Sequence, residues 1–207
     1  EYKSVRENIG VFDVSHMGQI KIMGNGADKL LDYLTTNNIS KISNNSAQYN
    51  AFCNNNGGTI DDVIVYKINT RSFFIIVNAS NIEKVYNWLI EKNTYNIKIE
   101  NISDKKSLLA LQGQNSRNTI LKLFNINLSN LKFYTFIKVE LFEHNVIISR
   151  TGYTGELGYE FIGNHKIIKK IWKVLMSKNI QPCGLAVRDI LRLEMKYCLY
   201  GNDLLEN

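Results

Sequence analysis

Residues 18–103 switch repeatedly between two hydrophobic periods, and that alternation narrows the possible folds more than any other feature of the chain. GQIKIMG (18–24) alternates with period two, as a half-buried strand does. GADKLLDYLTTN (26–37) spaces its apolar residues along one helical face. AQYNAFCN (47–54), TIDDVIVYKI (59–68) and SFFIIVNA (72–79) read as three strands, joined by Asn-Gly-Gly and Asn-Thr-Arg turns of hairpin chemistry. SNIEKVYNWLIEKN (80–93) returns to helical spacing, with Ser80 and Glu83 placed as a capping box. YNIKIENIS (95–103) is again a strand. This order is compatible with a β-α-β-β-α-β unit. The second half alternates in the same way, with KSLLALQGQ as a strand, NSRNTILKLF as a helix, FIKVELFEHNVIISRTGY as a hairpin, then YEFIG and helices at about 165–178 and 184–198. The predicted class is α+β. Pro182 is the single proline, so no proline-rich linker divides the chain, and no repeat is visible.

With 44% hydrophobic residues among 207, the chain can bury one large core or two small ones. No apolar run reaches the roughly 18 residues of a membrane span, so no membrane association is expected. EYKSVRENIGVFDV has neither a signal-peptide core nor a transit-peptide pattern. Three cysteines without a CxxC pair and three scattered histidines argue against a disulfide framework and a metal site. The net charge of +6 favours acidic partners. The densest basic group, Lys166, Lys169, Lys170 and Lys173, has the spacing of a solvated helix face. No zinc finger, RNA-binding aromatic signature or basic arm is present, so nucleic acid is not expected as a partner.

Three stretches carry candidate chemistry. In GGTIDDVIVY (57–66), Asp61 and Asp62 are adjacent on a strand, and successive strand residues face opposite sides. One therefore points inward, where a carboxylate needs hydrogen-bond donors or a cation. SRTGYTGELGYEF (149–161) has glycines three apart with tyrosines and glutamates among and just after them, without P-loop spacing. It reads as a tight hairpin whose glycines supply positive φ and whose side chains can approach a flat ligand. GLAVRDILRLEMKYCLYGND (184–203) places Arg188 and Arg192 on one helical face, suited to internal ion pairs or carboxylate ligands, with Gly201 and Asn202 as C-cap chemistry. His16 is read as structural, and no spacing offers a Ser-His-Asp triad.

VFDVSHMGQ (11–19), NNNGGTIDDVIVY (54–66), LLALQG (108–113), SRTGYTGELGYE (149–160), GLAVRDILRLE (184–194) and CLYGND (198–203) together resemble the aminomethyltransferase, or T-protein, family of the glycine cleavage system. The resemblance runs over essentially the whole chain. It implies a folate-binding α+β fold of antiparallel sheets with packed helices. Residues 1–17 and 104–207 would form a first lobe and 18–103 a ferredoxin-like second lobe. A third, β-barrel domain that follows in the family is absent from this chain. It implies transfer of a one-carbon unit from the aminomethyl-lipoyl arm of H-protein to tetrahydrofolate, with or without a polyglutamate tail. Asp62 would be the catalytic carboxylate, with Asp61 its outward or structural neighbour. Glu160, Arg188, Tyr153, Tyr49, Asn78 and Met17 would contact the folate. The implied location is the mitochondrial matrix, or the cytoplasm in a bacterium. Departures are Gln114 in place of a proline, Phe74 in place of a tyrosine, and a short N-terminal lead with an apparent gap between Ser4 and Val5. The alternative readings are a non-catalytic folate-binding protein and the folate domain of a sarcosine or dimethylglycine dehydrogenase relative.

Overall fold

In the computed structural model, which describes residues 1–207, the elements run α1 (Tyr2–Glu7), β1 (Gly10–Asp13), β2 (Gly18–Met23), α2 (Ala27–Leu34), β3 (Ser46–Cys53), β4 (Thr59–Asn69), β5 (Ser72–Val77), α3 (Ile82–Glu91), β6 (Lys98–Asn101), β7 (Ser107–Gln112), α4 (Ser116–Phe124), β8 (Phe136–Leu141), β9 (His144–Ser149), β10 (Gly158–Gly163), α5 (His165–Ser177), β11 (Gln181–Cys183) and α6 (Leu185–Glu194). They divide into two units. One comprises Glu1–Ser15 and Lys105–Tyr197, the other His16–Asp104 and Cys198–Asn207.

The first unit holds a six-stranded sheet in the order β11-β1-β7-β10-β9-β8, antiparallel except for the β1–β11 pair. Strand β7, SLLALQ, is buried at every position, which explains its unbroken apolar run: it lies near the centre of the sheet. Leu109 and Leu111 of β7 and Tyr159 and Phe161 of β10 form a core with Ile120 and Phe124 of α4 and Ile167, Ile171 and Leu175 of α5. Asn164 caps α5, its side chain accepting from Ile167 N at 3.0 Å. Lys166, Lys169, Lys170 and Lys173 lie on the exposed side of this helix, as their spacing predicts. Residues 2–7 form an unbroken helix, so the apparent gap between Ser4 and Val5 is not a break in the fold. Gln114 contacts the Glu7 carbonyl through Nε2.

The second unit is a five-stranded antiparallel sheet in the order β3-β4-β5-β2-β6. Removing edge strand β3 leaves β2-α2-β4-β5-α3-β6, the connectivity of a ferredoxin-like unit. Ile20, Ile22, Val63, Val65, Phe73, Ile75 and Val77 form its core with Leu30, Leu31, Val85 and Leu89 of α2 and α3. Phe74 stacks on Tyr66 with ring centroids 4.3 Å apart.

Two boundaries differ from expectation. Ser80 does not cap α3; residues 79–81 form a 3-10 turn and Asn81 occupies the cap position without a capping side-chain bond. Its carboxamide is engaged elsewhere, as described below. Helix α6 ends at Glu194, before YGND, and Gly201 sits in a separate turn with φ of 92°. The segment 198–207, expected with the first lobe, belongs to the second unit. Leu205 O accepts from Thr59 N (2.7 Å), Glu206 O accepts from Asn54 Nδ2 (2.9 Å), and Lys84 Nζ donates to Tyr200 OH (2.7 Å).

Replacing Asn164 with Ala removes the α5 cap and is expected to cost about 1 kcal/mol. The denaturant midpoint should fall with an unchanged slope; an unaltered midpoint would mean that the cap contributes nothing.

Candidate functional site

Strand β4 carries a bulge beside the paired aspartates. Phe52 pairs with Asp61 but Cys53 pairs with Thr59, which leaves Ile60 unmatched. Beyond the bulge the strand alternates, and Asp61, Val63 and Val65 face the helix-covered core. Asp61 is therefore the inward carboxylate, with no exposed surface, and Asp62 is the partly exposed one on the other face. This reverses the expected orientation. The period could not reveal it, because Ile64 and Tyr66 make the opposite face apolar as well.

Asp61 is matched by three N–H donors. Asn78 donates from its backbone N to Oδ2 (3.0 Å) and from Nδ2 to Oδ1 (2.8 Å), and Asn81 Nδ2 reaches Oδ1 at 2.6 Å. Burial still raises its pKa to about 6, against those bonds and with a further upward push from Asp62. Asp62 Oδ1 accepts from Asn78 Nδ2 (2.7 Å) and its Oδ2 from Tyr49 OH (3.0 Å). Burial raises its pKa too, opposed by the bonds from Tyr49 and Asn78. Three predicted site residues, Tyr49, Asp62 and Asn78, thus meet. Met17 lies in the same unit, immediately before Gly18, which pairs with Val77, the residue preceding Asn78. Sequence reasoning misses Asn81 and the inward role of Asp61; the available signal is Asn78 and Asn81 three apart after an apolar strand.

The first unit carries Tyr153, Glu160 and Arg188. Glu160 is on β10 opposite Ser149 and Ala110, and the Thr151 hydroxyl lies against its Oε2. The Arg188 guanidinium sits over the Tyr153 ring at 4.6 Å, and Tyr153 stacks on Tyr197 at 5.8 Å. Burial pulls the Arg188 pKa down, opposed by its electrostatic interactions with Glu160 and Tyr153. Burial also raises Tyr134 to about 12, reinforced by Glu160. A cavity of ≈ 220 Å³ lined by Phe133, Arg150, Thr151 and Tyr197 adjoins this group. Arg192 makes an internal ion pair, one of the two roles its spacing suits, to Asp189 Oδ1 (2.7 Å), and donates to Tyr197 O (3.0 Å).

The glycine-rich loop is not held open by three left-handed residues. Only Gly155 has positive φ, at 78°. Gly152 and Gly158 are needed for space: a Cβ at either would fall 2.1 or 2.3 Å from Gln112 Oε1. Gln112 is buried, accepts from Thr154 Oγ1 (2.9 Å) and donates to Thr151 O (3.2 Å), tying the loop to β7.

The whole chain, residues 1–207, matches the family described as the GCVT N-terminal domain. It belongs to that family. The aminomethyltransferases of Halothermothrix orenii, Thermosipho melanesiensis and Staphylococcus epidermidis are 44%, 43% and 41% identical to it, over 99–100% of this chain. The chain spans 57–59% of the length of these curated relatives. The crystal structure of glycine cleavage system aminomethyltransferase T from Bartonella henselae superposes with a TM-score of 0.89 at 27% identity, covering 98% of this chain and 55% of that one. A heterotetrameric sarcosine oxidase from Corynebacterium matches at a TM-score of 0.62 and 13% identity, covering 89% and 85%, a likeness of fold alone. The curated relatives are bacterial, which gives the expectation of a mitochondrial location no support.

Because Asp61 has a folded pKa of about 6 against 3.8 unperturbed, folding takes up a proton there. Its contribution favours the fold most below about pH 4 and is lost as pH rises through about 6, by on the order of 2–3 kcal/mol. The difference in unfolding free energy between wild type and D61N should move by that amount between roughly pH 4 and pH 7. A constant difference would contradict the burial of an ionising group.

Proposed function

We propose that the complete protein transfers a one-carbon unit from the aminomethyl-lipoyl arm of H-protein to tetrahydrofolate. The observation that carries this reading is the half-buried Asp62 carboxylate, held on one oxygen by Asn78 and on the other by Tyr49. The substrate carbon sits between sulfur and nitrogen. Its transfer forms bonds to N5 and N10 of the folate and breaks the C–S and C–N bonds. The two protons displaced from N5 and N10 leave on the lipoyl thiol and on ammonia. Positive charge develops on the carbon and its nitrogens, and a fixed carboxylate in a partly desolvated site stabilises it. Tyr49 and Asn78 keep that carboxylate from reorienting during the step.

Glu160, its Oε2 met by Thr151, is the proposed acceptor for the N–H edge of the pterin. Arg188 and Tyr153, stacked on each other, offer a cation and a ring face, and Met17 an apolar contact. The +6 charge suits an anionic, polyglutamylated tail. Bacterial relatives at 41–44% identity favour the bacterial cytoplasm over the mitochondrial matrix. No observation favours the non-catalytic folate-binding reading.

In the full-length protein supplied with aminomethylated H-protein and tetrahydrofolate, D62N should lower ammonia release by at least about 100-fold. Folate affinity should stay within a few fold. Equal rates in mutant and wild type would remove Asp62 from the chemistry.

A further inference from the structure

We propose that Asp61 is a positioning residue for Asp62, acting through the carboxamide of Asn78. The inference rests on the transferase reading above and extends it to a residue on the opposite face of the sheet. The Asn78 amide group has two hydrogens, and both are used: Nδ2 is 2.8 Å from Asp61 Oδ1 and 2.7 Å from Asp62 Oδ1, with Asp62 O a longer contact at 3.2 Å. Ionised carboxylates only accept, so the two aspartates decide which way the amide faces. A flipped Asn78 would set its carbonyl oxygen against two carboxylate oxygens. In the observed orientation that oxygen is turned away from the pair.

Asp61 can impose this because it is itself immobile. It is fully buried and receives the Asn78 backbone N–H on Oδ2 and Asn81 Nδ2 on Oδ1. The other support of Asp62 is weaker, since Tyr49 is 42% exposed and its hydroxyl bond competes with water. A neutral residue at 61 would avoid the cost of burying a charge. An asparagine there cannot do the same work: with one acceptor and one donor group it would turn its NH2 toward an N–H of Asn78 or Asn81. The charged neighbour acting on Asp61 is Asp62; its other polar contacts, from the turn after β5, are uncharged amides.

A double-mutant cycle in the full-length protein tests the proposal. D61N should lower kcat for ammonia release about 10- to 100-fold and leave folate affinity within about 3-fold, while adding no further loss to the residual rate of D62N. A merely structural defect would instead multiply in both backgrounds, and that outcome, or an unchanged kcat, overturns the proposal. Should D61N not accumulate as folded protein, D61S, smaller and with no second carboxylate oxygen, takes its place in the same cycle with D62N and in the amide measurement, judged by the same criteria. A second readout needs no turnover: the side-chain amide protons of Asn78, followed by ¹⁵N NMR, should be protected from solvent exchange in wild type and lose that protection in D61N. Unaltered protection overturns the proposal. A wild type that releases no ammonia defeats the transferase reading, and the amide signals still judge Asp61.

Discussion

A carboxylate with no exposed surface must find its donors inside the fold, and Asp61 sets that requirement for the whole end of the second unit's sheet. Two of its three donors belong to Asn78, the first residue beyond β5, and the third to Asn81 in the following 3-10 turn. The chain therefore leaves β5 through a tight turn instead of entering α3 directly, and the helix starts at Ile82. The same demand removes Asn81 from capping duty. On the other strand, the bulge at Ile60 lets an apolar residue and a carboxylate both face the core within two positions. Polar satisfaction at one buried atom pair thus fixes a strand end, a turn and a helix start.

The first unit solves a related problem with a neutral group. Gln112 ends the central strand β7 and is buried, so both ends of its amide need partners. Thr154 Oγ1 and the Thr151 carbonyl supply them, and Gly152 and Gly158 leave the room. The loop 150–157 is held from outside as well: Arg6 donates to Thr154 O at 2.7 Å and to Glu156 Oε1 at 2.9 Å, and also reaches Glu194 of α6. Tyr153, between these anchors, is thereby presented to Arg188. The N-terminal helix and a loop more than 140 residues later in the chain position the same aromatic ring, so sequence distance says little about how the group is built.

What is legible in the sequence depends on how local the determining physics is. The elements of both units follow from hydrophobic period, because amphipathic faces such as Ile167, Ile171 and Leu175 of α5 are read directly from spacing. The Asn-rich composition has a conformational use that no motif announces: four of the eight non-glycine residues at positive φ are Asn45, Asn96, Asn125 and Asn179. Orientation at the site is not legible. Both faces of β4 are apolar, so nothing in TIDDVIVYKI says which aspartate faces the helices; the bulge decides, and bulges arise from pairing with β3. The glycines of 150–158 suggest a conformational role where two of them have a packing role, since the side chain they accommodate comes from a strand some 40 residues earlier. Residues 198–207 would join the first lobe by sequence order, and instead follow their hydrogen bonds to β4.

A likeness of fold does not carry chemistry. At 13% identity the sarcosine oxidase shares the arrangement of elements and nothing more. What separates function from fold must lie in groups whose retention costs stability. The hydrophobic cores of the two units would be served equally well by many apolar sets of similar volume. Asp61 is different: ionised at neutral pH it raises the free energy of the fold, so stability gives no reason for its place there. Its amide partner joins it to a second carboxylate that faces the other side of the sheet. A pair of like charges separated by a single carboxamide is a poor way to hold a strand and an effective way to hold a carboxylate still.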